Sequence, residues 1–220
     1  MTRKELAKLI DHTALGPETG REAVARVCSE AAEHGFCAVC IPPGYVAFAR
    51  SLLRGTPVRV GTTVGFPHGQ HKPQVKALEA RLAVADGADE VDMVVDVAAL
   101  KAGDRDRVLA DLRAVREAAP HPTVLKVILE CALLSEDEKV LGAKLAQEAG
   151  ADFVKTSTGF SSGGATVEDV ALLRRTVGTA LGVKASGGIR DYAAAVALVR
   201  AGASRIGASK SVLILAGAPD

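Results

Sequence analysis

The sequence predicts a (β/α)8 barrel, and three observations predict it. Short apolar runs alternate with Ala/Leu-rich helical patterns along the whole chain, which is the signature of βα units and a parallel sheet. About eight such runs can be counted, the number a closed barrel needs. The phrases Asp86-Gly87-Ala88, Ala149-Gly150-Ala151 and Ala201-Gly202-Ala203 each stand between a helical pattern and the next apolar run, as a weak internal repeat. The 220 residues are read as one domain, 1–220.

The apolar runs, in order, are Lys8–Thr13, Phe36–Ile41, Val58–Val64, Glu90–Val95, Thr123–Leu129, Phe153–Thr156, Gly182–Ala185 and Arg205–Gly207. The clearest helical patterns between them are Arg21–His34, Pro73–Asp86, Asp104–Ala118, Glu136–Ala149, Val167–Val177 and Asp191–Ala201. An open doubly wound sheet is the alternative, but it wants a glycine-rich dinucleotide fingerprint after the first strand. Ala14-Leu15-Gly16-Pro17 stands there instead.

Composition narrows the function classes. With 48% apolar residues but only 3% aromatic ones, the core is expected to be Val, Leu, Ile and Ala, as in a sheet buried on both faces. A formal net charge of +1 without a basic, aromatic-interleaved stripe disfavours nucleic acid. No apolar run approaches the roughly 20 residues that span a bilayer, and the start Met1-Thr2-Arg3-Lys4-Glu5 is not a signal peptide. The expected location is therefore the cytoplasm. The chain has no Asn, a trait of heat-stable proteins. Cys37 and Cys40 form a lone CxxC inside a predicted strand, where an offset of three sends the thiols to opposite faces; buried reduced thiols are expected. Of the five histidines only His68 and His71 lie close together, with no acidic partner, so no metal is expected.

Four runs carry a charge where an apolar strand should not. Asp92, Lys126, Lys155 and Lys184 stand inside the fourth, fifth, sixth and seventh runs. Neighbouring strands would place them in one arc around the lumen if all point inward. A single such lysine can be a structural ion pair, but three lysines against one aspartate do not balance. An uncompensated buried amine lowers its pKa and becomes a nucleophile for Schiff-base chemistry. Lys155 is the expected nucleophile, because Lys126 and Lys184 flank it and Thr156-Ser157-Thr158-Gly159-Phe160 leaves room for a substrate. Lys184 is the expected charged neighbour and Asp92 the expected proton shuttle. Ser186-Gly187-Gly188-Ile189-Arg190 and Gly207-Ala208-Ser209-Lys210-Ser211 follow the seventh and eighth runs, where barrels often bind phosphate; Ser209 could cap the last helix.

These residues also carry a resemblance. Phe153-Val154-Lys155-Thr156-Ser157-Thr158-Gly159-Phe160 and Val183-Lys184-Ala185-Ser186-Gly187-Gly188-Ile189-Arg190 resemble the two lysine strands of the deoxyribose-phosphate aldolases. Ile10-Asp11-His12-Thr13, Val64-Gly65-Phe66-Pro67-His68-Gly69, Glu90-Val91-Asp92-Met93-Val94, Leu125-Lys126-Val127-Ile128-Leu129-Glu130 and Arg205-Ile206-Gly207-Ala208-Ser209 match in the same order. The resemblance implies a class I aldolase that cleaves 2-deoxy-D-ribose 5-phosphate to glyceraldehyde 3-phosphate and acetaldehyde. It implies Lys155 as Schiff-base lysine, Lys184 and Asp92 as proton-transfer partners, and Lys126, Asp11 and Thr13 as support. It further implies Gly159, Gly187, Gly188 and Ser209 at the phosphate, no cofactor, and a homodimer. The chain departs from some members in lacking a terminal Tyr and in having Lys210 where they have a second Ser. Another Schiff-base barrel and a non-catalytic phosphosugar-binding barrel stay open as alternatives.

Overall fold

The computed structural model describes all 220 residues. Eight parallel strands pair in chain order and close on themselves: β1 Ile10–Thr13, β2 Ala38–Ile41, β3 Arg59–Val64, β4 Glu90–Val94, β5 Val124–Ile128, β6 Phe153–Lys155, β7 Gly182–Ser186 and β8 Arg205–Ala208. Closure is direct, because Asp11 of β1 stands in register with Gly207 of β8. The open doubly wound alternative is thereby excluded.

The six longer helices lie where the periodicity predicts: α2 Arg21–His34, α4 Pro73–Ala85, α6 Arg105–Ala118, α7 Glu136–Glu148, α8 Val167–Val177 and α9 Tyr192–Arg200. Asp104 and Asp191, read from sequence as helical, are instead N-caps whose carboxylates accept from Arg107 and Ala194 N–H. Three short helices are absent from the sequence reading, α1 Arg3–Ala7, α3 Val46–Leu52 and α5 Val97–Lys101, while the last helix, expected after Ser209 without bounds, is α10 Ser211–Ala216. At five to seven residues they span at most two turns, too few for a helical period to stand out. Lys8 is the C-cap of α1 and Leu9 lies in the turn after it, its N–H donating to Leu6 O, so β1 begins at Ile10 rather than Lys8.

The x-Gly-Ala repeat has a physical basis. Ala88, Ala151 and Ala203 each donate their N–H five residues back, to the carbonyls of Ala83, Ala146 and Leu198. That bond closes a helix over a left-handed residue, here Gly87, Gly150 and Gly202. Each phrase is thus a helix stop that releases the chain into the next strand.

Strand alternation splits the barrel into two environments. Outward residues such as Val39, Val60, Val91, Met93, Leu125, Val127, Val154, Val183 and Ile206 are fully buried against the helices and form the apolar core. Barrel lumens are usually filled by branched aliphatic residues. This one is filled largely by charge.

Candidate active site

Seven ionisable side chains from six strands meet in the lumen. Asp11 comes from β1, Glu90 and Asp92 from β4, Lys126 from β5, Lys155 from β6, Lys184 from β7 and Arg205 from β8, and none is more than 5% exposed. Strand register explains the meeting, since Asp92 stands beside Lys126 and Lys155 beside Lys184. The four residues expected to point inward all do so.

The contacts form an alternating network around Asp92. Lys155 Nζ and Lys184 Nζ both donate to Asp92 Oδ2, at 2.7 and 2.8 Å. Lys126 Nζ donates to Asp92 Oδ1 at 2.7 Å and pairs with Glu90 Oε2 at 2.5 Å. Lys184 also donates to Asp11 Oδ2, whose other oxygen accepts from Arg205 at 2.7 Å. Arg205 in turn reaches Glu90 Oε2 at 3.1 Å. Gly207 makes room for this arrangement: a Cβ there would lie 3.0 Å from Lys184 Cε.

Glu90 and Arg205 were not anticipated as members of the cluster. They stand at the first positions of their strands, where a charge is ordinary and raises no alarm. Their presence corrects the charge balance read from sequence. The lumen holds Lys126, Lys155, Lys184 and Arg205 against Asp11, Glu90 and Asp92, four potential cations against three carboxylates. Lys184 and Arg205 each touch two carboxylates and Lys126 three, with Asp11 at 3.8 Å as its third, whereas Lys155 touches Asp92 alone.

Proton affinities follow that inequality. For Lys155, burial is the largest influence and favours the neutral amine; Asp92 opposes it and Lys184 adds to it, so the pKa falls below the ordinary lysine value. For Lys184, burial pushes the same way, but Asp11 and Asp92 outweigh it and raise the pKa. Lys126 is raised likewise by Asp92 and Glu90 against burial. Burial disfavours charge on Asp92 too, yet Lys126, Lys155 and Lys184 hold it well below the usual carboxylate range. From the sequence, burial together with both Lys126 and Lys184 is expected to depress Lys155. Burial comes first, and of the two lysines it is Lys184 that adds to it. With Lys155 neutral, three cations face three carboxylates, a balanced state for a buried cluster.

Lys155 alone of the seven borders the open cleft at the C-terminal end of the barrel, a volume of about 600 Å³. Thr13 lines the same cleft and donates its hydroxyl to the Asp11 carbonyl at 3.0 Å. Gly159, Gly187, Gly188, Ser209 and Lys210 line it as well. Gly159, Gly187 and Gly188 all have positive φ, and the N–H groups of these three and of Ser209 donate to no group of the chain. The loops after β6 and β7 are braced together: Ser186 Oγ donates to Ser157 O at 2.6 Å and Thr156 Oγ1 to Ser186 O at 3.2 Å. Ser209 does not cap the last helix. Lys210 is its N-cap residue, and no side chain caps it.

Cys40 lies buried beside the lysine cluster, where burial raises its thiol pKa. Cys37 precedes β2 and is only half-buried, a correction to the strand reading, and all four cysteines are free. His68 lies on the rim of a separate, smaller cavity.

Known proteins are similar to this chain over nearly its whole length. A model of the "DeoC/LacD family aldolase" matches residues 6–217. A deoxyribose-phosphate aldolase of Macrococcus caseolyticus is 56% identical over 212 residues, 96% of each chain. Another, of Streptococcus suis, is 55% identical over 214 residues, 97% of each chain. Among solved structures, a tetrameric deoxyribose phosphate aldolase from Aeropyrum pernix superposes with a TM-score of 0.91 at 34% identity, covering 98% of this chain and 91% of that one. A closed eight-stranded barrel, a buried lysine cluster open at one amine, and full-length similarity to named aldolases converge, and the chain is an enzyme of the DeoC/LacD aldolase family.

Proposed function

We propose that this aldolase cleaves 2-deoxy-D-ribose 5-phosphate reversibly to D-glyceraldehyde 3-phosphate and acetaldehyde through a Schiff base on Lys155. The observation that carries the reading is the inequality between two neighbouring lysines. Lys155 and Lys184 share one carboxylate oxygen, but only Lys155 faces the cleft and only its pKa is lowered.

The neutral Lys155 amine attacks C1 of the open-chain sugar aldehyde to give a carbinolamine, which loses water to form an iminium. The iminium withdraws the C2–C3 bonding pair as the C3 hydroxyl loses its proton. Glyceraldehyde 3-phosphate departs and an enamine of acetaldehyde stays on Lys155. Protonation at C2 and addition of water then release acetaldehyde and restore the amine. Asp92, with Oδ2 bridging the two amines, carries the protons through water at the carbinolamine and enamine steps. Lys184 stays charged and, with burial, keeps Lys155 from protonating. Asp11 and Lys126 hold Lys184 and Asp92 in place. The iminium formed on Lys155 is itself the electron sink, so the chemistry calls for no cofactor.

The free N–H groups of Gly159, Gly187, Gly188 and Ser209 form the cradle for the 5-phosphate, with Lys210 adding charge from the same wall of the cleft. The named relatives support the choice of substrate. The test is acetaldehyde release from 2-deoxyribose 5-phosphate, measured with a coupled alcohol dehydrogenase. Release by the wild type and none by Lys155→Met is expected. A folded wild type that turns over no 2-deoxyribose 5-phosphate contradicts the substrate. No helix is long and apolar enough to cross a membrane, and a cytoplasmic homodimer completes the proposal. Light scattering on the purified protein distinguishes a dimer from a tetramer like that of the Aeropyrum relative.

A further inference from the structure

Glu130 is the one non-glycine residue with a positive φ, at φ 61° and ψ 61°. That region disfavours any residue with a Cβ, and a long acidic side chain has no local hydrogen bond that offsets the strain as Asn or Asp can. Such outliers persist where the surrounding structure holds them for a purpose. Glu130 follows β5 at the catalytic end of the barrel and is only 4% exposed. No lysine or arginine neutralises it. Both carboxylate oxygens instead take hydrogen bonds from one residue, Thr158. The Thr158 N–H lies 3.4 and 3.3 Å from the two oxygens, and the Thr158 hydroxyl donates to Oε2. Phe160 N–H donates to the same hydroxyl oxygen at 3.1 Å.

Thr158 and Phe160 flank Gly159. The loop that carries them is a partition: both residues border the substrate cleft on one side and a second cavity of about 300 Å³ on the other, and Glu130 borders only the second. The carboxylate therefore grips the loop from behind, out of reach of a substrate on Lys155. Gly159, at φ 86°, is free to move unless its neighbours are tied.

We propose that Glu130 is a positioning residue that fixes the loop after β6 through Thr158, holds the Gly159 N–H in the anion cradle, and so sets the preference for phosphorylated over non-phosphorylated sugar. The proposal rests on the phosphate-cradle reading above. It also explains why a strained glutamate stands where glycine would be comfortable: glycine would relieve the backbone and lose the grip.

The experiment compares kcat and KM for 2-deoxyribose 5-phosphate and for 2-deoxyribose, in the wild type and in Glu130→Gly, Glu130→Ala and Glu130→Gln. Glu130→Gly suits the backbone, so it keeps the fold testable by thermal melting. The wild type should prefer the phosphate ester. Glu130→Gly should melt at or above the wild-type temperature, raise KM for the ester about tenfold, and leave kcat/KM for 2-deoxyribose nearly unchanged. Glu130→Ala should show the same selectivity loss with a lower melting point, and Glu130→Gln, which can still accept from Thr158, should retain most of the preference. A Glu130→Gly protein that keeps the wild-type preference, or that loses activity equally on both sugars, overturns the proposal. A wild type that shows no preference for the ester removes the phosphate cradle itself, and the role of Glu130 with it.

Discussion

Two buried lysines of this chain look alike and lie in different layers. Lys76 of α4 is fully buried between the helices, with Asp111 Oδ2 at 2.6 Å and the Val94 carbonyl at 2.9 Å. Lys155 of β6 is 3% exposed in the lumen, with Asp92 Oδ2 at 2.7 Å. By burial and nearest carboxylate they are nearly equivalent. They differ in how their partner is shared. Asp111 serves Lys76 alone, and a backbone carbonyl takes another of its protons. Asp92 serves three lysines at once, and Lys155 is the one with no second carboxylate and the only open face. Burial alone makes an ion pair; a shared counter-ion plus access makes a candidate nucleophile.

The comparison is broken most severely at Lys155. Lys155→Met should abolish turnover to the uncatalysed background in the acetaldehyde-release assay while leaving the fold intact. It should also stabilise the protein at neutral pH. The folded pKa of Lys155 lies below its unfolded value, so between the two the unfolded chain binds more protons and stability rises with pH. That penalty is absent above the ordinary lysine value of about 10.4 and grows as pH falls toward the folded pKa. The variant should lose it, raising the neutral-pH melting temperature relative to wild type. A variant that melts lower at pH 7 would mean that Lys155 is charged and paired in the folded protein.

Asp92→Asn comes next. It leaves Lys126, Lys155 and Lys184 without their common counter-ion and removes the proposed proton carrier. A fall in kcat of about 10²–10⁴-fold is expected, and a change under tenfold would exclude Asp92 from proton transfer. Lys184→Met has a subtler effect. Asp92 then has Lys126 and Lys155 to serve, Lys155 holds its proton more tightly, and Asp11 keeps Arg205. The acid limb of the kcat/KM profile, which should lie below about 10.4 in the wild type, should move upward, and activity at pH 7 should drop. An unmoved limb would show that Lys184 does not set the Lys155 charge. Lys76→Met should do the least to chemistry. It strands a buried Asp111 and should cost about 3–5 kcal/mol in denaturant melts, with kcat of the folded protein largely preserved.

Much of this was legible in the sequence, and the failures have physical reasons. Eight strands and six long helices were readable because the βα units repeat the same period and three of them share the Gly-Ala stop. The short helices α1, α3 and α5 were not, since five to seven residues carry too little period. Asp92, Lys126, Lys155 and Lys184 stood out because each interrupts an apolar strand. Glu90 and Arg205 did not, because a charge at a strand start is commonplace; period-two alternation from Asp92 back to Glu90 would have placed it on the same face. The single-carboxylate contact of Lys155 depends on three-dimensional sharing, which no spacing encodes. The left-handed Glu130 carries no sequence signal at all, for glutamate is not a residue that marks positive φ.

The central claim is that Lys155 is the one neutral, open amine of the lumen. It is tested most directly by incubating the protein with acetaldehyde and sodium borohydride and mapping the reduced adduct by peptide mass spectrometry. A single ethyl adduct on Lys155, with Lys126 and Lys184 unmodified, is the predicted result. An adduct on Lys184 in preference, or none on any lysine of the folded protein, would contradict it.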